Sequence, residues 1–325
     1  MTALTLILLT LFISTAGTTV QAQSDSADPL DTAVTHNSWS KGAAMPKALK
    51  FAMTGLIAGK VFVVGGVTDT VVVRNNQVYN PVTNTWSSRT GLPVATCDAA
   101  SGVVNNVLYV IGGSNDGLTV TNAVWAYNPK TNKWSARSAM PTVRASAGTA
   151  VENNIIYVIG GTDGHNNRLN TVEGYNPASD TWTEEAPLLV GKSEPSVGLV
   201  GTTIVAADGF SASGDTGDNE GYNASTNSWE SRTTDPTGRN EACTGSTSGL
   251  LYVAGGSQDG RTNNTDVNES FNLSTDKWTT LAPIPQPVVA AGSAVDKGLL
   301  YCFGGGDNTV SFQGRVFNFV QIYQP

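Results

Sequence analysis

Charge and histidine are both scarce in this 325-residue chain. Only 14% of its residues are charged, the formal net charge is −8, and the two histidines are His36 and His165. So few imidazoles exclude a histidine-built copper or zinc centre, and a conventional catalytic triad would have to draw on one of two histidines in polar segments. Lys and Arg are scattered along the sequence, which excludes nucleic acid and anionic membrane surfaces as expected partners, because both reward clustered cations. Three cysteines, with no Cys-x-x-Cys pair, supply neither a disulfide scaffold nor a zinc site. Cys97, Cys243 and Cys302 are expected to be small buried thiols, at least one of them unpaired in a monomer. P-loop, G-x-S-x-G and H-E-x-x-H motifs are absent, and no cofactor is expected.

Long apolar runs are missing too, except at the N-terminus. The run from Leu4 to Ile13, followed by small residues and Val20-Gln21-Ala22, reads as a signal peptide over residues 1–22. The mature chain is then expected to begin near Gln23, to be secreted or periplasmic without a membrane span, and to act as a monomer; an uncleaved anchor is the alternative. The initial run is itself too short to cross a bilayer.

Glycine, by contrast, is abundant at 35 residues, and much of it recurs with a period. Trp39, Trp86, Trp134, Trp182, Trp229 and Trp278 follow one another at intervals of 47, 48, 48, 47 and 49 residues. Gly pairs at 65–66, 112–113, 160–161, 255–256 and 304–305 keep the same rhythm, with Asp208-Gly209 as a degenerate member. Each pair follows a short apolar run such as Val61–Val64 or Leu108–Ile111, which predicts a buried strand. An aromatic stands seven residues before each Trp from Trp86 onward, and the turn between them is Asn-Pro-x-Thr-Asn or a close variant, a hairpin signal.

A unit of about 50 residues and four strands cannot bury both faces of its sheet alone, so several must pack around an axis. The apolar run, Gly pair, Tyr and Trp resemble the kelch family. That resemblance implies an all-β, six-bladed β-propeller of four-stranded antiparallel blades, approximately 46–86, 93–134, 141–182, 188–229, 236–278, and 285–325 plus 31–40. Trp39 precedes any Gly pair, whereas the last unit stops before a Trp. The N-terminal strand should therefore complete the sixth blade and close the ring.

In a repeat protein, residues that recur in every unit are scaffold, and residues that break the pattern are site candidates. Glu173, Glu220 and Glu269, each two residues before an aromatic, are expected to be structural. Counting back from the Gly pair aligns Leu49, Thr96, Arg144, Lys192, Arg239 and Val288, and two residues on Phe51, Asp98, Ser146, Glu194, Glu241 and Ala290. Alternation puts both rows on one strand face and predicts a lopsided channel mouth, charged in blades two to five and apolar in six and one. Asp98, Arg144, Lys192, Glu194, Arg239 and Glu241 are the candidate ligand-binding set, with charge pairing inside the scaffold as the alternative. Asp215 and Asp218, on the Gly- and Ser-rich loop of blade four, form a weak Ca²⁺ candidate that matches no EF-hand spacing. Trp125, off the repeat, suggests either packing or a stacking platform.

These features point first to a non-catalytic binding module presenting its channel mouth and loops to a protein or glycan. The chain is also similar to periplasmic six-bladed kelch propellers that epimerise N-acetylneuraminate. Such a reaction needs an acid/base carboxylate and a cation for the sugar carboxylate, for which the candidates in this sequence are Glu194 or Glu241, with Arg144, Lys192 or Arg239. A third reading is a matrix or adhesion component.

Overall fold

β-branched and aromatic residues dominate the six runs that precede the Gly pairs, and in the computed structural model each becomes the second strand of a blade. The structure describes residues 36–165, 167–258, 263–307 and 312–325; the expected signal peptide lies outside them. Lys60–Val64, Val107–Ile111 and their counterparts are buried on both faces after the first residue. Neighbouring blades cover both sides of each sheet, which is why these runs are apolar throughout and do not alternate. The innermost strands of blades one to four, such as Met53–Ile57, do alternate between buried and half-exposed positions, whereas those of blades five and six, Cys243–Thr247 and Gly292–Asp296, have half-exposed middles.

Six antiparallel four-stranded sheets result, and no helix occurs among the described residues. The sixth is composite: Gly292–Asp296, Leu299–Phe303 and Val320–Gln324 are completed by the N-terminal strand Ser38–Lys41, with Trp39 opposite Tyr323. Blade six also abuts blade one, where Phe51 N donates to Ala290 O at 2.8 Å and Thr54 Oγ1 donates to Ser293 O.

One polar device recurs at every seam between blades. Residue Asn132, in the outer hairpin of blade two, adopts φ +54°. Its Oδ1 accepts from Tyr127 Oη at 2.7 Å and from the backbone N of Thr90 in blade one at 3.0 Å, while Trp134 Nε1 donates to Thr90 O at 2.9 Å. Asn84, Asp180 and Asn227 repeat the pattern with their own Tyr and Trp. Asn37, with Trp39 and Tyr323, makes the same contact to Ala282 and so ties blade six to blade five. Asn and Asp tolerate the left-handed conformation and offer an acceptor with two lone pairs, so the hairpin residue shapes the turn and staples the neighbour.

The expectation for the cysteines needs correction. Cys243 and Cys302 are disulfide-bonded with Cα atoms 5.8 Å apart, and only Cys97 is free and buried. Their separation of 59 residues concealed the pairing. The fold brings together the innermost strand of blade five and the second strand of blade six. Closing a loop of that length stabilises by about 4 kcal/mol on the chain-entropy model, and it does so beside the blade that carries the closure.

Replacing the stapling oxygen while keeping the turn isolates its contribution. Asn132→Gly, which still accepts positive φ, is expected to lower unfolding free energy by about 1–3 kcal/mol for the two lost acceptor contacts. Urea denaturation checks this; an unchanged midpoint would show that the staple is ornamental.

Candidate functional site: the channel mouth and the charges beneath it

Six left-handed residues form the rim of the central channel. Phe51, Asp98, Ser146, Glu194, Glu241 and Ala290 have φ between 54° and 56°. Their backbones hand hydrogen bonds from blade to blade: Asp98 N to Phe51 O, Ser146 N to Asp98 O, Glu194 N to Ser146 O and Ala290 N to Glu241 O, at 2.7 to 3.0 Å. All six side chains line one cavity of about 330 Å³, together with inner-strand residues such as Thr54, Ser101, Thr149 and Thr244. Ser146 Oγ donates to Asp98 Oδ2 at 2.5 Å, and Ser193 Oγ to Glu194 Oε2 at 3.3 Å. The cavity wall thus carries carboxylates in blades two, four and five, with Phe51 and Ala290 on the adjoining arc.

The cations of the candidate set are elsewhere. Arg144, Lys192 and Arg239 have side chains that are 0% exposed. Arg144 pairs with Glu173 at 2.7 Å and donates to Thr171 O and Val158 O. Lys192 lies 3.4 Å from Glu220 and donates to Ala206 O and Asp218 O. Arg239 pairs with Glu269 at 2.5 Å and with Asp235 at 3.3 Å. The two aligned rows were expected on one strand face; they part because the regular strand starts only at Met53 or its equivalent. The residues of the second row are themselves left-handed, which breaks the period-two alternation, so the first row points into the blade and the second into the channel.

Glu173, Glu220 and Glu269 are the structural residues expected, and they do a second job. Glu173 Oε1 accepts from Thr142 N, and Glu220 from the N–H groups of Leu189 and Val190. Gln77 and Gln321 do the same for Lys47 and Gln286 in blades whose cation position is Leu49 or Val288. At this position an acid therefore occurs only where a buried cation answers it, as the cost of an uncompensated interior charge requires. Trp125 is half-buried and packs against the core of blades one and two. Asp215 Oδ1 accepts from Asn240 Nδ2 and Asp218 Oδ2 from Thr216 Oγ1, and no cluster of three metal-ligating side chains occurs among the described residues.

Two residues at this level were not singled out as site candidates. Lys50, between the aligned rows, is fully buried, donates to Gln313 O at 2.8 Å and stands near enough to Glu241 to feel its charge. Its signal was a cation where the other blades carry Cys97, Ala145, Ser193, Asn240 and Val289. Asp208 occupies a position that is Gly in the five other blades, at φ +58°. It is 0% exposed, neither carboxylate oxygen accepts a hydrogen bond, and the nearest cation atom is Arg239 Nε at 4.0 Å.

These six antiparallel blades around a lined channel define a β-propeller. The chain belongs to the Kelch motif family, whose model matches residues 54–93, 95–141, 144–189 and 238–285, together more than half of the chain. The whole repeat around Asp208, residues 190–237, falls between matched segments. Among solved structures, one described as "Structure of YjhT" is similar with a TM-score of 0.73 and 18% sequence identity, over 86% of this chain and 96% of that one. At that identity the likeness concerns the fold alone. A search of curated proteins finds no match.

Asp208 makes the buried network sensitive to pH. Burial, and then the charge of Asp235 beside it, push the Asp208 carboxyl well above its usual range against the pull of Arg239 and Lys192. Burial and Asp235 likewise push Glu269 up to about 7. Both acids bind protons more tightly folded than unfolded, where carboxyls titrate near 4. Their protonation therefore supports the fold fully below about pH 4, and that support is lost as pH rises through the folded values. Thermal unfolding should show a fall in Tm between pH 5 and pH 8. Asp208→Gly, which restores the residue of the other blades, should raise Tm at pH 8 and flatten the profile; a profile as steep as the parent's would remove Asp208 from the explanation.

Proposed function

We propose that this chain is a binding module of the secreted or periplasmic space whose channel mouth takes a neutral or amino-bearing sugar from a glycan, without catalysing its conversion. The observation that carries the reading is the cavity of about 330 Å³ lined by Asp98, Glu194, Glu241 and Ser146. Carboxylates accept strong hydrogen bonds from sugar hydroxyls and pair with an ammonium group, and a concave site of this size suits a single sugar ring. Arg144, Lys192 and Arg239, the cations expected for an acid sugar, are enclosed in the blades. That placement weighs against N-acetylneuraminate as the ligand and against its epimerisation. The Cys243–Cys302 disulfide supports export, because such bonds persist in oxidising compartments.

Titration calorimetry with glucose, galactose, glucosamine and N-acetylneuraminate tests the proposal. Binding of a neutral or amino sugar, weakened at least tenfold in Glu194→Gln/Glu241→Gln at unchanged Tm, is the expected result. Preferential binding of N-acetylneuraminate, or an affinity indifferent to the double substitution, would overturn it. Accelerated anomer exchange in the NMR spectrum of any of these sugars would make the protein an enzyme.

A further inference from the structure

Against its net charge of −8, the chain carries one groove lined by four cations and no carboxylate. It lies at the seam of blades one and two, away from the channel mouth, and encloses about 860 Å³. Lys47, Arg74, Arg89 and Lys133 line it together with Trp134 and the amide-bearing segment Asn75–Gln77. All four cations are exposed, and none forms an ion pair among the described residues. Arg74 Nη1 donates to Pro93 O at 3.0 Å and Arg89 Nη1 to Ser88 O at 2.9 Å, which steadies both guanidinium groups on the groove wall.

The repeat supplies an internal control. At the four corresponding positions the next seam has Val94, Asn122, Arg137 and Thr181, a single cation, and the seam of blades three and four has Thr142, Asn170, Glu185 and Ser228, which includes an acid. The seam of blades four and five has two cations, Arg232 and Lys277, but Arg232 pairs with Glu230 at 3.0 Å. Gln77 stands in the groove wall where three other blades have Glu. The propeller scaffold thus neither requires nor produces this charge, and four cations held together without a counter-ion repel one another unless an anion joins them.

We propose that this groove binds an acidic oligosaccharide, a chain whose successive rings carry carboxylate or sulfate groups. Its volume admits two or three rings, and the cations can answer more than one anionic group, the arginines as planar forks and the lysines as point charges. Trp134, fixed by its Nε1 donation to Thr90 O, presents an aromatic surface of the kind on which an apolar sugar face packs. Binding is short-ranged, because the negative chain as a whole repels polyanions beyond a Debye length of about 8 Å at physiological salt.

The test uses the full chain, titrated at low ionic strength with trigalacturonate, a sulfated trisaccharide, maltotriose and triglutamate, with Trp fluorescence as a second readout. One or both acidic sugars should bind at least tenfold more tightly than maltotriose and triglutamate, and the tighter of the two identifies carboxylate or sulfate as the recognised group. Lys47→Thr/Arg74→Asn installs residues that other blades already carry at these places. It should abolish that preference while Tm is unchanged, and Glu194→Gln should leave it intact. Binding of no acidic sugar, equal binding of maltotriose, or an unaltered affinity in the double variant would each overturn the proposal; triglutamate binding as tightly would reassign the groove to acidic peptide.

Discussion

A single side-chain oxygen in each outer hairpin holds one blade to the next. The oxygens of Asn84, Asn132, Asp180 and Asn227 each take a Tyr hydroxyl from their own blade and a backbone N–H from the preceding one. Blade five tests the logic, because Phe271 has no hydroxyl to offer. There Asp276 turns its second oxygen to Thr233 Oγ1 at 3.0 Å and still accepts from Thr233 N. The blade-to-blade contact is thus kept even where the contact within the blade is lost. Since Asn37 makes the same contact from the N-terminal end of the described chain, closure of the ring uses the ordinary seam with no special device.

Inside that frame, charge obeys a pairing rule. At the aligned positions three blades place a cation and an acid together, and the other three place neither there, carrying Leu49 and Gln77, Thr96 and Trp125, or Val288 and Gln321 instead. The acid or its Gln replacement also holds the connection that leads into the innermost strand, so the position survives the loss of its charge. Asp208 departs from the rule: it adds a third carboxylate beside Arg239, which already faces Asp235 and Glu269, in a backbone conformation that favours glycine. Such local strain persists only where the surroundings hold it in place, and the neighbouring seams do that here.

The carboxylates of the channel mouth follow different physics. Asp98, Glu194 and Glu241 are left-handed residues whose backbones take part in the inter-blade ring, while their side chains set the chemistry of the cavity. The groove at the first seam offers the opposite sign at a different place. One scaffold, whose repeated residues are committed to packing and stapling, therefore presents two local chemistries through residues that break the repeat.

Most of the architecture was legible in the chain itself. The spacing of Trp39 to Trp278, the Gly pairs and the Asn-containing turns determined the blade count, the strand order and the composite sixth blade, because each is a local requirement repeated at a fixed period. Glu173, Glu220 and Glu269 were recognisable as scaffold for the same reason. The tertiary structure alone decided the direction of Arg144, Lys192 and Arg239, since one left-handed residue reverses which face a neighbour occupies and alternation says nothing of it. It alone paired Cys243 with Cys302, 59 residues apart, and gathered Lys47, Arg74, Arg89 and Lys133 into one groove, because contacts across a seam join positions that no single repeat contains.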